Sequence, residues 1–150
     1  HKTQIVMAKY FTLKELCESR EATRRSIDNF PSFEIAAHLQ ELTDKILDPL
    51  RWAWGGAINV TSGYRCPKLN AAVGGVKGSQ HLLGQAADIK AADPSENGQL
   101  FNCIASLVRR KKINVGQLIW EYGNKTNPKW VHVSLPRVGK PNNQFLYYYS

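Results

Sequence analysis

The chain has 150 residues, 43% hydrophobic and 10% aromatic, with a net charge of +8 and a pI near 9.5. That composition reads as an ordered globular protein, one domain over 1–150 with its own core. No apolar run approaches the roughly 20 residues that span a bilayer, no h-region of an export signal opens the chain, and three scattered cysteines exclude a disulfide framework. The basic balance favours anionic partners: nucleic acid, anionic lipid or a phosphate-bearing cell envelope.

The chain opens on His1, and "MAKYFTLKEL" begins at Met7. Residues 1–6 read as a tag or processing remnant with Met7 as the native start, and residues 1–9 as remnant or flexible N-terminus. "YFTLKELCES", Tyr10 to Ser19, reads as a short helix with Thr12 as N-cap and Glu15 at the capping-box position. The next apolar stripe, Ile35, Leu39, Leu42, Ile46, Leu47 and Leu50, has helical spacing, with a kink or break expected near Pro49. His38 lies beside this stripe and reads as a structural histidine.

"AINVTSGYR" alternates Ile58 and Val60 with Asn59 and Thr61, a half-buried strand ending at Gly63. "NAAVGGVKGSQ", Asn70 to Gln80, reads as a glycine-rich loop; it lacks GxxxxGK[ST] and so is no phosphate cradle. "AADIKA" is a second short strand. A helix capped at Ser95 follows, apolar at Leu100, Phe101, Ile104, Leu107 and Val108, with Cys103 as a buried thiol. It closes on Arg109 to Lys112, where cations complement the macrodipole. "GQLIWEYG" and "KWVHVSL" are two further strands, and "QFLYYYS" is a last strand or docked segment. The fold class is α+β: N-terminal helices packed on a small, mainly antiparallel sheet.

The chemistry gathers on the last hairpin. Leu118 and Trp120 oppose Ile119 and Glu121 across one strand, as Val131 and Val133 oppose His132 across the other. The register that buries both apolar faces puts Glu121 and His132 on one face, opposite or diagonal. Ile89 belongs with the core, so Asp88 lies on the other face of its strand, and Gly84 permits a turn between it and His81. If that strand neighbours the hairpin, His81, Asp88 and His132 converge with Glu121 nearby. Two imidazoles and a carboxylate with a fourth position open form the ligand set of a catalytic zinc. Read from spacing alone, separate structural roles for the three are favoured over a shared metal site.

"SQHLLGQAAD" fits SxHxxGxAxD in full, "WVHVS" supplies a downstream histidine, and "SGYRCPKLNAAVGG" precedes both. Together they resemble the D-alanyl-D-alanine carboxypeptidase and peptidoglycan endopeptidase family, zinc peptidases that share an architecture with lysostaphin-type enzymes and the hedgehog signalling domain. The likeness runs from about Tyr10 to Ser134, and is greatest to short members often encoded by phages or prophages. It implies one zinc ion held by His81, Asp88 and His132, and Arg65 as the residue that holds a substrate carboxylate or carbonyl. Glu121 matches the acid/base of members with a "QLI-x-E" strand. Many members carry an acid three positions before the second histidine, where this chain has Lys129, so the base falls to Glu121. Ser79, Gln80 and Trp130 are further substrate-binding candidates.

The implied activity is zinc-assisted hydrolysis of amide bonds in bacterial peptidoglycan stem peptides, by a monomer acting on the wall; it is made either without a signal peptide, in the manner of a phage or prophage lysin, or with export directed by residues upstream. Carboxypeptidase and endopeptidase stay open. The alternative is an inert zinc-containing cell-wall or protein binding module; nucleic-acid binding, suggested by charge alone, ranks last.

Overall fold

The structure, a computed structural model, describes residues 10–149. The expectation for residues 1–9 lies outside the described residues.

Thr12 caps α1, Leu13–Cys17, and its hydroxyl accepts from the Glu15 amide at 3.0 Å. Ser19 caps a second short helix, α2, Arg20–Arg24, which five residues are too few to announce by periodicity. Ser32 caps α3, Phe33–Leu42. The kink or break expected near Pro49 takes the form of a π turn, Thr43–Leu47, running directly into α4, Asp48–Trp54. Proline has no N–H and crowds the carbonyl four residues back; one turn of wider winding accommodates it without ending the helix. The apolar stripe therefore survives the irregularity, and Leu39, Leu42, Ile46, Leu47 and Leu50 are all fully buried.

Five strands follow: β1, Ile58–Ser62; β2, Ala86–Ala91; β3, Gln117–Glu121; β4, Trp130–Ser134; and β5, Gln144–Tyr148. They form one sheet in the order β1-β2-β4-β3-β5. Every pairing is antiparallel except β3 with β5. The expected α+β class with a mainly antiparallel sheet is what the chain forms.

Alternation sorts the two faces. Ile89, Val131, Val133, Leu118 and Trp120 join the helical leucines in one core, while Asp88, His132 and Glu121 share the opposite face. A long helix, α6, Asn97–Arg109, buries Leu100, Phe101, Ile104, Ala105 and Leu107 against the core face. Its start differs from the sequence reading. Pro94–Glu96 form a 3-10 turn capped by Asp93, whose carboxylate accepts from the Ser95 amide at 3.0 Å. Ser95 is thus inside the turn and not the cap. Cys103 is half-buried rather than enclosed, and α6 ends at Arg109, before the rest of the basic run.

The stretch Asn70 to Gln80 is also not all loop. Its first residues end α5, Pro67–Ala72, where Pro67 opens the helix and the Cys66 thiol caps it. Cysteine is an uncommon cap, which hid this helix from the sequence.

Gly63, just beyond β1, sets how closely the sheet edge meets α1. A Cβ there would overlap the Leu16 carbonyl oxygen, which already accepts from the Tyr64 amide at 2.8 Å. Replacing Gly63 by alanine is expected to cost about 2 kcal/mol by overpacking against backbone, read as a lower urea midpoint with an unchanged slope.

Candidate metal centre

His81 sits in the 3-10 turn Gln80–Leu83, which Gly84 closes with a left-handed φ of 71°. That glycine leads straight into β2, two residues before Ala86. The Ser79 hydroxyl accepts from the His81 amide at 3.1 Å. The buried Gln80 side chain donates to the Leu135 carbonyl at 2.8 Å, tying the turn to the end of β4. Ser79 and Gln80 thus hold the segment that presents His81.

The His81 ring is 2% exposed overall, and its Nδ1 lies 2.7 Å from the Gly63 carbonyl. A carbonyl can only accept, so Nδ1 carries the proton and Nε2 presents a lone pair. That lone pair faces Asp88 Oδ1 at 3.4 Å. On β2, Asp88 pairs directly with His132 on β4, and the same Oδ1 lies 2.9 Å from His132 Nδ1. The two imidazoles meet edge to face, ring centroids 5.2 Å apart. One ligand atom from each of the three residues lies within 4.8 Å of the other two.

The donor set fits a cation. A bare imidazole nitrogen and a carboxylate oxygen repel one another unless a proton or metal lies between. Tetrahedral zinc with bonds near 2.0–2.1 Å places its ligand atoms about 3.4 Å apart, the separation of the His81–Asp88 pair. The His132–Asp88 pair is closer, at direct hydrogen-bond length. Burial works against ionising Asp88, but the hydrogen bond from His132 and the nearness of both imidazoles outweigh it and hold the carboxyl well below its usual range. A carboxylate that stays ionised beside two imidazoles is prepared for a divalent ion.

Glu121 lies diagonally from His132, since Ile119 takes the directly opposite position and Glu121 pairs with Trp130. Its carboxylate makes no hydrogen bond or ion pair among the described residues. Burial and then the Asp88 charge raise its pKa, while His132 pulls the other way. The Trp130 ring packs against Tyr122 at 5.3 Å, and its indole nitrogen is buried without a hydrogen-bond partner.

Arg65 follows a bulge in β1, where the register shifts between Val60 and Ser62 so that Ser62 faces Asp88. Its Nη1 reaches the Ser62 hydroxyl at 3.4 Å. Its Nε is buried and unpartnered. Burial lowers the Arg65 pKa, opposed by the nearby Asp88 charge.

Two contributors escape sequence reasoning. The Gly63 carbonyl orients His81 through a backbone atom, which no residue type advertises. Asn29 donates to the carbonyls of Cys17 and Tyr64, both at 2.9 Å, and accepts from the Cys66 amide at 2.7 Å. It clamps the segment that carries both Gly63 and Arg65, yet a lone asparagine before "FPS" reads as a turn residue. His38 lies apart from the group, with Nδ1 at 2.7 Å from the Leu83 carbonyl, in a structural role.

The family model for peptidase M15 matches residues 9–134. No curated protein matches the chain. The match takes in all five groups just described, from Arg65 to His132. The chain belongs to the peptidase M15 family of zinc-dependent, peptidoglycan-type peptidases.

Proposed function

We propose that the protein hydrolyses amide bonds in the stem peptides of bacterial peptidoglycan, with one zinc ion held by His81, Asp88 and His132. The observation that carries this reading is the convergence of those three side chains, from a turn and two strands, on a common point. Bound there, zinc supplies a Lewis acid for the scissile carbonyl and lowers the pKa of water toward about 7.

The chain's own residues do the rest. Glu121, close to the ligands and unpaired, takes the proton of the attacking water on a carboxylate oxygen and delivers it to the leaving amine. Arg65 offers a planar fork of donors, with Nε already desolvated and unmatched. It holds a substrate carboxylate or the charge that develops on the carbonyl oxygen. Trp130 walls the face on which the peptide lies. Ser79 and Gln80, drawn into the turn, act by placing His81. The protein works on the wall side of the envelope, as a lysin released from the cytoplasm would. Among the described residues no helix is long and apolar enough to cross a membrane.

Digestion of purified muropeptides, followed by mass spectrometry, is expected to give products that vanish with a chelator and return with zinc. The product masses distinguish removal of a terminal D-alanine from an internal cut. A digest unaffected by the chelator, or no product at all, overturns the reading.

Asp88→Ala is expected to abolish stoichiometric zinc binding, measured by metal analysis of the purified protein. Glu121→Gln is expected to retain zinc and lower kcat by a factor of about 10²–10⁴. In the metal-free protein, the Glu121 carboxyl should titrate by NMR above the ordinary glutamate value of 4.5. Zinc adds positive charge beside it and favours the ionised form, so loading should move that titration downward.

A further inference from the structure

We infer that the aromatic rings around Glu121 form a shelf for the amino-sugar glycan to which stem peptides are joined; this rests on the peptidase reading above. The pairing of three strands sets up the shelf. Glu121 on β3 lies between Trp130 on β4 and Tyr148 on β5, its direct partners on either side. Paired residues share a face, so all three project from the face that carries Asp88 and His132. Tyr148 is 49% exposed and Trp130 half-buried.

Tyr122 completes the surround at the end of β3. Alternation alone would send it after Trp120 to the core face. Its φ of 60° ends the strand instead, a conformation that is uncommon and strained for a residue with a Cβ. The ring thereby meets Trp130, centroids 5.3 Å apart, and stays 45% exposed. The Tyr122 amide donates to the Tyr148 carbonyl at 2.6 Å, which ties this turn to β5. A strained backbone that holds a large ring in solvent points to a binding role for that ring.

Chemistry and place select the occupant. A pyranose presents C–H groups on its ring face and hydroxyls at its rim. Tyrosine matches both, with a negative ring face for the C–H groups and a phenol for the hydroxyls. Neither the Tyr122 nor the Tyr148 hydroxyl makes a hydrogen bond among the described residues. Arg65 follows β1, the opposite edge strand of the sheet. At about 4.8 Å between strands, β5 stands about 10 Å from β4 and His132, the span of about three extended residues. A peptide held at its carboxyl end by Arg65 thus passes Glu121 with its amino end, where the sugar is joined, directed toward Tyr148. The family match ends at residue 134, before β5 begins, so Tyr148 is a feature of this chain outside the matched region.

The first probe is chitotetraose, a peptide-free oligomer of N-acetylglucosamine, titrated calorimetrically into the wild-type protein. Saturable binding is expected, and Tyr122→Asn with Tyr148→Ala should weaken it about tenfold, as the loss of aromatic anchors does. Tyr122→Phe with Tyr148→Phe keeps the rings and should retain most of the affinity. Circular dichroism reports whether each variant is folded; if the double truncation is not, Tyr148→Ala alone, on the edge strand, decides. The second probe is a stem tetrapeptide with and without its disaccharide, titrated into the zinc-loaded Glu121→Gln protein. The sugar-bearing form should bind more tightly, and truncating the tyrosines should remove that advantage without weakening the free peptide. No binding of chitotetraose, binding indifferent to the truncations, or an equal loss for both peptides overturns the shelf; the last would make it a peptide surface. Muropeptide hydrolysis by the wild type is scored separately. A protein that binds the tetramer yet cuts nothing keeps the sugar shelf and loses the peptidase reading.

Discussion

The functional face depends on one cross-strand pairing, Asp88 on β2 against His132 on β4. Forty-four residues of chain separate the two, and only the register of the sheet brings them to 2.9 Å. A slip of one residue would turn both side chains into the core and the valines out to solvent. The apolar face prevents this. Ala87 and Ile89 on β2, with Val131 and Val133 on β4, are completely buried against the helices. The core thus fixes the chemistry indirectly: burying the hydrophobic half of each strand leaves the polar half no choice of position.

His81 reaches the same point by a different route, and a costlier one. It lies on a turn, where nothing like a strand ladder sets its angle, and so it depends on backbone contacts. The Gly63 carbonyl holds its Nδ1, and Asn29 holds the segment that carries Gly63. Gly84 lets the chain reverse close against α3, where a side chain would meet the Ile35 carbonyl. Three buried polar groups then face one another. Such an arrangement is unfavourable unless each is matched, and a shared cation matches all three at once.

Much of this was legible in the sequence because period-two alternation is a strong signal. Ile89, Val131, Val133, Leu118 and Trp120 declare the core face, and Asp88, His132 and Glu121 follow on the other by parity alone. Strand order was not legible. That β2 neighbours β4, and that β5 adds in parallel to β3, depends on long-range packing that local patterns do not encode. Capping signals worked at Thr12, where side chain and spacing follow the usual rule. They misled at Ser95, because Asp93 accepts from the Ser95 amide to cap a 3-10 turn, and the Gly98 amide that a Ser95 cap would take goes to Asn127. They were silent at Cys66, whose thiol replaces the usual hydroxyl. Pro49 was read rightly as a disturbance, and it takes the milder of the two forms expected, since the surrounding stripe is apolar enough to keep the helix packed through a π turn.

The hairpin also explains how a base can stand near a metal centre without joining it. The position directly opposite His132 belongs to Ile119, an apolar and nearly buried residue with no atom to offer a cation. Glu121 comes one pleat later, diagonal to His132, where its carboxylate stays outside the convergent group yet within reach of the Asp88 and His132 charges. Exchanging these two residue types would put a second carboxylate beside His132 and leave no free base. The alternation that sorts core from surface thus also sorts ligand from base, within a single five-residue strand.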